Sequence, residues 1–179
     1  MLVVLDRDGV INIDPGYIAR PDDWHAYPGS LEAIARLKRA GHVVVVASNQ
    51  SGIGRGLIKE EELDRVHEKM QRDLKSIDQA ASLDGIYYCP HHPREECHCR
   101  KPNIGLLEKI FSDFPAFRPE DSWLVGDRLS DLEMGMRMGC RLALVRTGYG
   151  KQTEASLCDL TPAIIADNLD AVVKQLMGV

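Results

Sequence analysis

Short apolar runs rich in Val, Ile and Leu recur along the chain at Leu2-Val3-Val4-Leu5, Val43 to Ala47, Trp123 to Val125 and Leu142 to Val145. Each is followed at once by polar or glycine-bearing residues. A run that is apolar at successive positions, rather than alternately, describes a strand buried on both faces, as in a parallel sheet covered by helices. Between the runs the apolar spacing turns helical. Leu31, Ile34 and Leu37 predict a helix stopped at Gly41, and Glu60-Glu61-Glu62 opens one that runs to about Ile77. Leu106, Leu107, Ile110 and Phe111 mark a third, Asp131 to Met138 with Gly139 as its stop a fourth, and Leu169, Val172, Val173 and Leu176 the last. Strands alternating with helices predict an α/β fold with a doubly wound sheet. The chain shows no internal repeat and no linker rich in Pro, Gly or Ser, so residues 1–179 read as one domain.

Composition narrows the partners. With 44% hydrophobic and 27% charged residues the chain is of ordinary globular type, which excludes disordered and fibrous classes. A formal net charge of -5 offers no general attraction to nucleic acid or an anionic membrane, so a small-molecule partner is expected, with any cations for it placed locally. Met1 leads straight into a strand without the features of a signal peptide, and no apolar run approaches the ~18 residues of a membrane span. A cytoplasmic monomer is expected. Of five cysteines, Cys140 and Cys158 read as small packing residues, whereas Cys89, Cys97 and Cys99 cluster with His91 at C-x-H-x5-C-x-C spacing. Three thiolates and one imidazole fill the tetrahedral shell of Zn²⁺ and leave no position for water, so the predicted zinc is structural. His92 and His98 are then neighbours whose rings point away, and the loop 89–99 would hold Arg100-Lys101 in place.

The chemistry collects where the strands end, which is where open α/β sheets bind ligands. Asp6-Arg7-Asp8-Gly9 follows the first run; if the chain stays extended, Asp6 and Asp8 share one side and Arg7 takes the other. Two like charges in one small site need a cation, a proton or a phosphoryl group. Ser48, Asn49 and Gln50 end the second run, and Gly52, Gly54 and Gly56 follow with Arg55 among them, a pattern suited to an anion. Lys101 precedes the third helix and Gly126-Asp127-Arg128 follows the next run. Lys101 can neutralise phosphoryl oxygens, and Asp6 with Asp127 can supply the hard oxygen ligands that Mg²⁺ prefers. Each fragment alone reads as a turn or a solvated surface; their recurrence in order at successive strand ends makes a phosphoryl-transfer inventory.

Asp6-Arg7-Asp8-Gly9-Val10, Ser48-Asn49-Gln50, Lys101-Pro102 and Gly126-Asp127-Arg128-Leu129-Ser130-Asp131 resemble the four motifs of the haloacid dehalogenase (HAD) superfamily of phosphatases. The resemblance implies a three-layer, mostly parallel sheet without a large cap. It implies Asp6 as nucleophile, Asp8 as general acid and base, Ser48 and Lys101 as phosphoryl stabilisers, Asp6, Asp8 (through its backbone carbonyl) and Asp127 as Mg²⁺ ligands, and Asp131 as a supporting group. Asp6 beside Mg²⁺ is expected to stay ionised while Asp8, facing the leaving group, holds a proton more readily.

With the Cys/His loop the chain resembles two sister groups, the heptose bisphosphate 7-phosphatases and the histidinol-phosphatases. Asp14-Pro15-Gly16-Tyr17, Asn49 to Gly56 and Gly85 to Pro93 are similar to the heptose group. The loop length, and Arg128 in place of an expected Lys, are departures from it. The resemblance implies removal of the C7 phosphate of D-glycero-D-manno-heptose 1,7-bisphosphate, in the supply of nucleotide-activated heptose. Asp14, Gly16, Tyr17, Asn49, Gln50, Ser51, Arg55, Arg100 and Arg128 are the expected substrate contacts, with Arg100 and either Arg55 or Arg128 gripping the second phosphate. The competing readings are a histidinol-phosphatase and a catalytically silent sugar-phosphate-binding module.

Overall fold

The computed structural model describes residues 1–178. Six strands form one parallel sheet: β1 (Leu2–Leu5), β2 (Val43–Asn49), β3 (Gly85–Cys89), β4 (Trp123–Gly126), β5 (Arg141–Val145) and β6 (Ile164–Ala166), in the order β3-β2-β1-β4-β5-β6. The chain winds outward from β1 to β3, returns to the middle and winds the other way, so β1 and β4 lie side by side at the switch between the two directions. Leu5 pairs with Val46 of β2 on one side and with Val125 of β4 on the other. Crevices at such a switch, beyond the carboxyl ends of the strands, are where this class of sheet binds ligands.

The helices are α1 (Ser30–Arg39), α2 (Glu60–Ile77), α3 (Gly105–Asp113), α4 (Leu129–Met138), α5 (Gly150–Glu154) and α6 (Leu169–Met177). The period of two in the strands divides the apolar residues between two cores. Val3, Leu5, Val44 and Val46 face a layer containing Ile34, Leu37, Val66, Met70, Leu74 and Val172. Leu2, Val4, Val45 and Ala47 face the opposite layer, with Leu107, Ile110, Leu132 and Met134. This is the three-layer arrangement expected from the strand pattern. Among the described residues no helix is long and apolar enough to cross a membrane.

Two short elements escaped the hydrophobic pattern: β6 spans three residues at one sheet edge and α5 spans five, while β3 at the other edge is half-buried along most of its length. The α2 boundaries match the prediction at both ends, because the acidic first turn complements the helix dipole and Asp78 leaves helical geometry.

Candidate active site

The first carboxylates sit just beyond β1. The Asp6 N–H donates to the Val125 carbonyl at 2.9 Å, which continues the β1–β4 pairing for one residue. After it the chain turns, with Gly9 at φ 91°. A Cβ there would lie 2.3 Å from Oδ2 of Asp127, so the close approach of this turn to β4 demands glycine. The turn also breaks the expected alternation. Arg7 does not point away from Asp8; it is buried and grips it, with Nε 3.0 Å from Oδ1 and Nη2 2.8 Å from Oδ2.

Asp6, Asp127 and Asp131 are all buried, and one carboxylate oxygen from each falls within 4.8 Å of the others. Lys101 enters this group from the loop before α3. Its Nζ donates to the Ala47 carbonyl at 2.9 Å and forms ion pairs with Asp6 at 2.8 Å and Asp131 at 2.6 Å. Burial works against its charge, but Asp131 and Asp6 outweigh it and hold the ammonium well above the usual lysine range. Oδ1 of Asp6 also accepts from the Arg7 N–H at 2.7 Å, which fixes the carboxylate with its other oxygen free of hydrogen bonds. Asp131 sits inside the cluster rather than behind it. Its Oδ2 accepts from the Arg128 N–H at 3.0 Å at the start of α4, and its Oδ1 faces the Lys101 ammonium at 2.6 Å.

Burial raises Asp6 to about 8, with Lys101 opposing and the charges of Asp131 and Asp127 adding. Asp127 is raised to about 7 by burial and by Asp131. Its Oδ2 accepts from the Tyr149 N–H at 2.7 Å, while the buried Oδ1 has no hydrogen-bond partner. A buried, unpartnered carboxylate oxygen beside two more carboxylates is a donor set for a hard divalent cation. Asp8 shows the opposite behaviour. Burial works to raise it, but the Arg7 charge and hydrogen bonds from Arg7, Asn12 and Gln50 prevail and hold it below the ordinary carboxylate range. Burial and the neighbouring carboxylates thus push Asp6 upward, while the fork from Arg7 draws Asp8 downward. Asp8 contributes no carboxylate to the three-Asp cluster.

Asp6, Asp8, Lys101 and Asp131 line one cleft of about 490 Å³ at the strand ends, and Asp127, fully buried, is not among its lining residues. Asp6, Asp8, Ser48 and Lys101 form its floor; Asp14, Gly16, Tyr17, Ser51, Arg100 and Arg128 also line it. Arg100 has a buried Nη1 without a hydrogen-bond partner. Arg128 lies 3.7 Å from the Tyr149 ring centroid and 3.3 Å from Asp14. Asn49 and Gln50 touch the cleft, but their amides are committed inward. Asn49 makes two bonds to the Lys101 backbone, at 3.1 and 3.2 Å, and Gln50 Nε2 reaches Asp8 and Ser48, each at 2.8 Å. These bonds tie the Lys101 backbone, Asp8 and Ser48 together at the cleft. Arg55 is exposed and does not line the cleft. Sequence reasoning missed Tyr149 and passed over Ser130; both line the cleft. The signal available for Tyr149 was its place between glycines just past the carboxyl end of β5.

The Cys/His cluster forms as predicted. Cys89, His91, Cys97 and Cys99 bring one ligand atom each within 4.8 Å of one another. Neighbouring atoms are 3.2–3.6 Å apart. Tetrahedral Zn²⁺ with its usual bond lengths would set edges of roughly 3.5–3.8 Å, so the four atoms fit one ion with little adjustment. His92 instead accepts from the Arg94 N–H, and His98 pairs with Glu108. The loop is tied to its neighbouring segments: Asn103 Nδ2 donates to the Cys97 carbonyl at 2.9 Å and the Gly54 N–H to the Pro90 carbonyl at 2.8 Å. A Cβ on Gly54 would stand 2.2 Å from the His92 nitrogen.

Residues 98–172 match the HAD-hydrolase-like family model. The chain is 43% identical over 153 residues to the D-glycero-beta-D-manno-heptose-1,7-bisphosphate 7-phosphatase of Neisseria meningitidis, covering 85% of this chain and 80% of that one. The enzyme of the same name from Bordetella bronchiseptica is 40% identical over 184 residues, covering 98% and 97%. The crystal structure of the B. bronchiseptica D,D-heptose 1,7-bisphosphate phosphatase, complexed with magnesium and phosphate, superposes with a TM-score of 0.92 at 41% identity, covering 99% of this chain and 98% of that one. The order of acidic strand ends, the shared fold and identity along nearly the whole length converge: the chain belongs to the D-glycero-beta-D-manno-heptose-1,7-bisphosphate 7-phosphatase family of HAD-like phosphatases.

Proposed function

We propose that this chain removes the C7 phosphate of D-glycero-D-manno-heptose 1,7-bisphosphate and leaves heptose 1-phosphate, by phosphoryl transfer through Asp6. The observation that carries the reading is the buried carboxylate-lysine cluster at the floor of a cleft that also holds Arg100 and Arg128. One phosphoryl group needs the floor; a second anionic group gives the two arginines a partner.

Asp6 and Asp127, with Asp131 beside them and the backbone carbonyl of Asp8, would hold Mg²⁺. Bound there, the ion neutralises charge on the phosphoryl oxygens and keeps Asp6 ionised. The unpartnered Oδ1 of Asp127 supports this assignment. The side chains of the protein then do the rest. The free oxygen of Asp6 attacks phosphorus, the ester bond to the sugar oxygen breaks, and an aspartyl phosphate forms. Ser48 and Lys101 hold the developing charge. Asp8 carries a proton to the leaving oxygen and afterwards takes one from the water that attacks the aspartyl phosphate and restores Asp6. For the first of these steps Asp8 must gain its proton on substrate binding, because the free site keeps it ionised. A dianionic phosphate placed beside it works in that direction.

The zinc cluster would be structural, bracing the strand end that carries Cys89 and the loop that carries Arg100 and Lys101. Phosphate release from the heptose bisphosphate and from histidinol phosphate, measured side by side with Mg²⁺, tests the reading. Preference for the bisphosphate is expected. Preference for histidinol phosphate would move the chain to the sister activity, and inertness toward both would favour a binding module.

A further inference from the structure

Arg7 is 1% exposed, and a buried guanidinium is tolerated only where its donors are met. Two of them form the fork on Asp8, Nε to Oδ1 at 3.0 Å and Nη2 to Oδ2 at 2.8 Å. On its far side Nη1 lies 3.2 Å from Nε2 of His67. Guanidinium has no acceptor, so Nε2 must accept and the imidazole proton must sit on Nδ1. Burial and the Arg7 charge push the ring down to about 3, so it meets Arg7 as a neutral acceptor.

His67 sits on the inner face of α2, where the other buried residues are Leu63, Val66, Met70 and Leu74. It is the one polar member of that face, and packing alone would be served by another apolar side chain. Asn12 and Gln50 each reach one oxygen of Asp8 from their own directions, at 2.9 and 2.8 Å. Arg7 alone grips both oxygens with one rigid planar group that carries a charge, and that contact is as firm as the support behind Arg7.

We propose that His67 is a positioning residue for the phosphatase reaction, acting through Arg7 to hold the Asp8 carboxylate in the orientation its proton transfers require. The inference rests on the reading of Asp8 as acid and base. The chain of contacts runs from an open groove of about 580 Å³, lined by His67, Tyr88, Asp64 and Gln71, through the Arg7 fork and into the cleft. A small molecule that refilled a truncated position 67 could therefore enter from this side.

The test uses two substrates. From the heptose bisphosphate, heptose 1-phosphate departs as an alkoxide at C7 that must be protonated; p-nitrophenyl phosphate has a leaving group that departs without a proton. His67→Phe, which keeps bulk and removes the acceptor, is expected to lower kcat about tenfold for the sugar phosphate with little change in KM, and by less than about threefold for the aryl ester. His67→Gln, which keeps an acceptor, should retain most of the rate. His67→Ala should regain kcat when imidazole is added, and it decides the question if His67→Phe does not fold. A folded His67→Phe with unchanged kcat, or with equal losses on the two substrates, or a His67→Ala that imidazole does not rescue, would overturn the proposal. A wild-type protein inert toward both esters would instead remove the acid-base reading beneath it.

Discussion

Lys101→Met keeps the length of the side chain and deletes its charge, which makes it the sharpest perturbation of the cleft floor. Lys101 is 4% exposed and stands between Asp6 at 2.8 Å and Asp131 at 2.6 Å, with Asp127 in the same cluster. Removing one partner of a buried ion pair costs about 3–5 kcal/mol. At roughly 2–4 °C per kcal/mol for a chain of this size, Tm should fall by about 6–20 °C. The loss must depend on pH. Asp6, raised to about 8, and Asp127, raised to about 7, are largely protonated at pH 6 and more fully charged at pH 8, so the variant should suffer more at pH 8. Mg²⁺ restores positive charge to the cluster and should recover part of the Tm. It should not recover the rate, because the ammonium charge at the cleft floor is gone, worth about 10²–10³ in kcat. Calorimetry at pH 6 and 8 with and without Mg²⁺, alongside phosphate release, reads both effects. A Tm unchanged at pH 8 without Mg²⁺, or a kcat close to wild type, would refute the reasoning.

In the wild-type protein Mg²⁺ should raise Tm more at pH 8 than at pH 6. Raised carboxyls stabilise the metal-free fold below their ordinary range and lose that stabilisation as pH climbs through about 7 and 8, so the cation displaces fewer protons at the higher pH; equal shifts would contradict this. Asp6→Asn should abolish turnover and phosphate trapping, whereas Asp8→Asn should lower kcat by about 10²–10⁴ and still show Mg²⁺-dependent stabilisation, checked by rapid-quench labelling and thermal shift. Cys97→Ser should lose zinc on gel filtration, melt lower and turn over more slowly, with elemental analysis as the readout; a wild-type protein without zinc together with a variant of full stability would discard the site. Arg100→Ala should lower kcat/KM roughly tenfold to a hundredfold for the bisphosphate, as expected for a charge-assisted contact of ~1.5–3 kcal/mol, and less for a small monophosphate.

The parts of the fold visible in the chain were those where apolar pattern and burial coincide. The central strands β1, β2, β4 and β5 carry uninterrupted apolar stretches because both faces are covered. The outer strand β3, Gly85–Cys89, is half-covered and carries two tyrosines, one of which sends its hydroxyl to Asp113, so its apolar pattern is weaker than that of the central strands. The acidic residues of the site were legible because each follows a recognisable strand. What sequence could not show was direction. Nothing in Ser48-Asn49-Gln50 says that both amides turn inward to Lys101, Asp8 and Ser48, nor that Arg55 stays outside the cleft. The alternation rule failed at Arg7 because the strand had already ended, and that failure concealed the fork on Asp8 and the link to His67.

The central claim is that this cleft takes the terminal phosphate of a heptose bisphosphate to its floor and holds the anomeric one outside. Following the two phosphorus signals of D-glycero-D-manno-heptose 1,7-bisphosphate by ³¹P NMR during turnover tests it most directly. The C7 signal should be replaced by one equivalent of inorganic phosphate while the anomeric signal persists as heptose 1-phosphate. Loss of the anomeric signal, or release of both phosphates at similar rates, would contradict it.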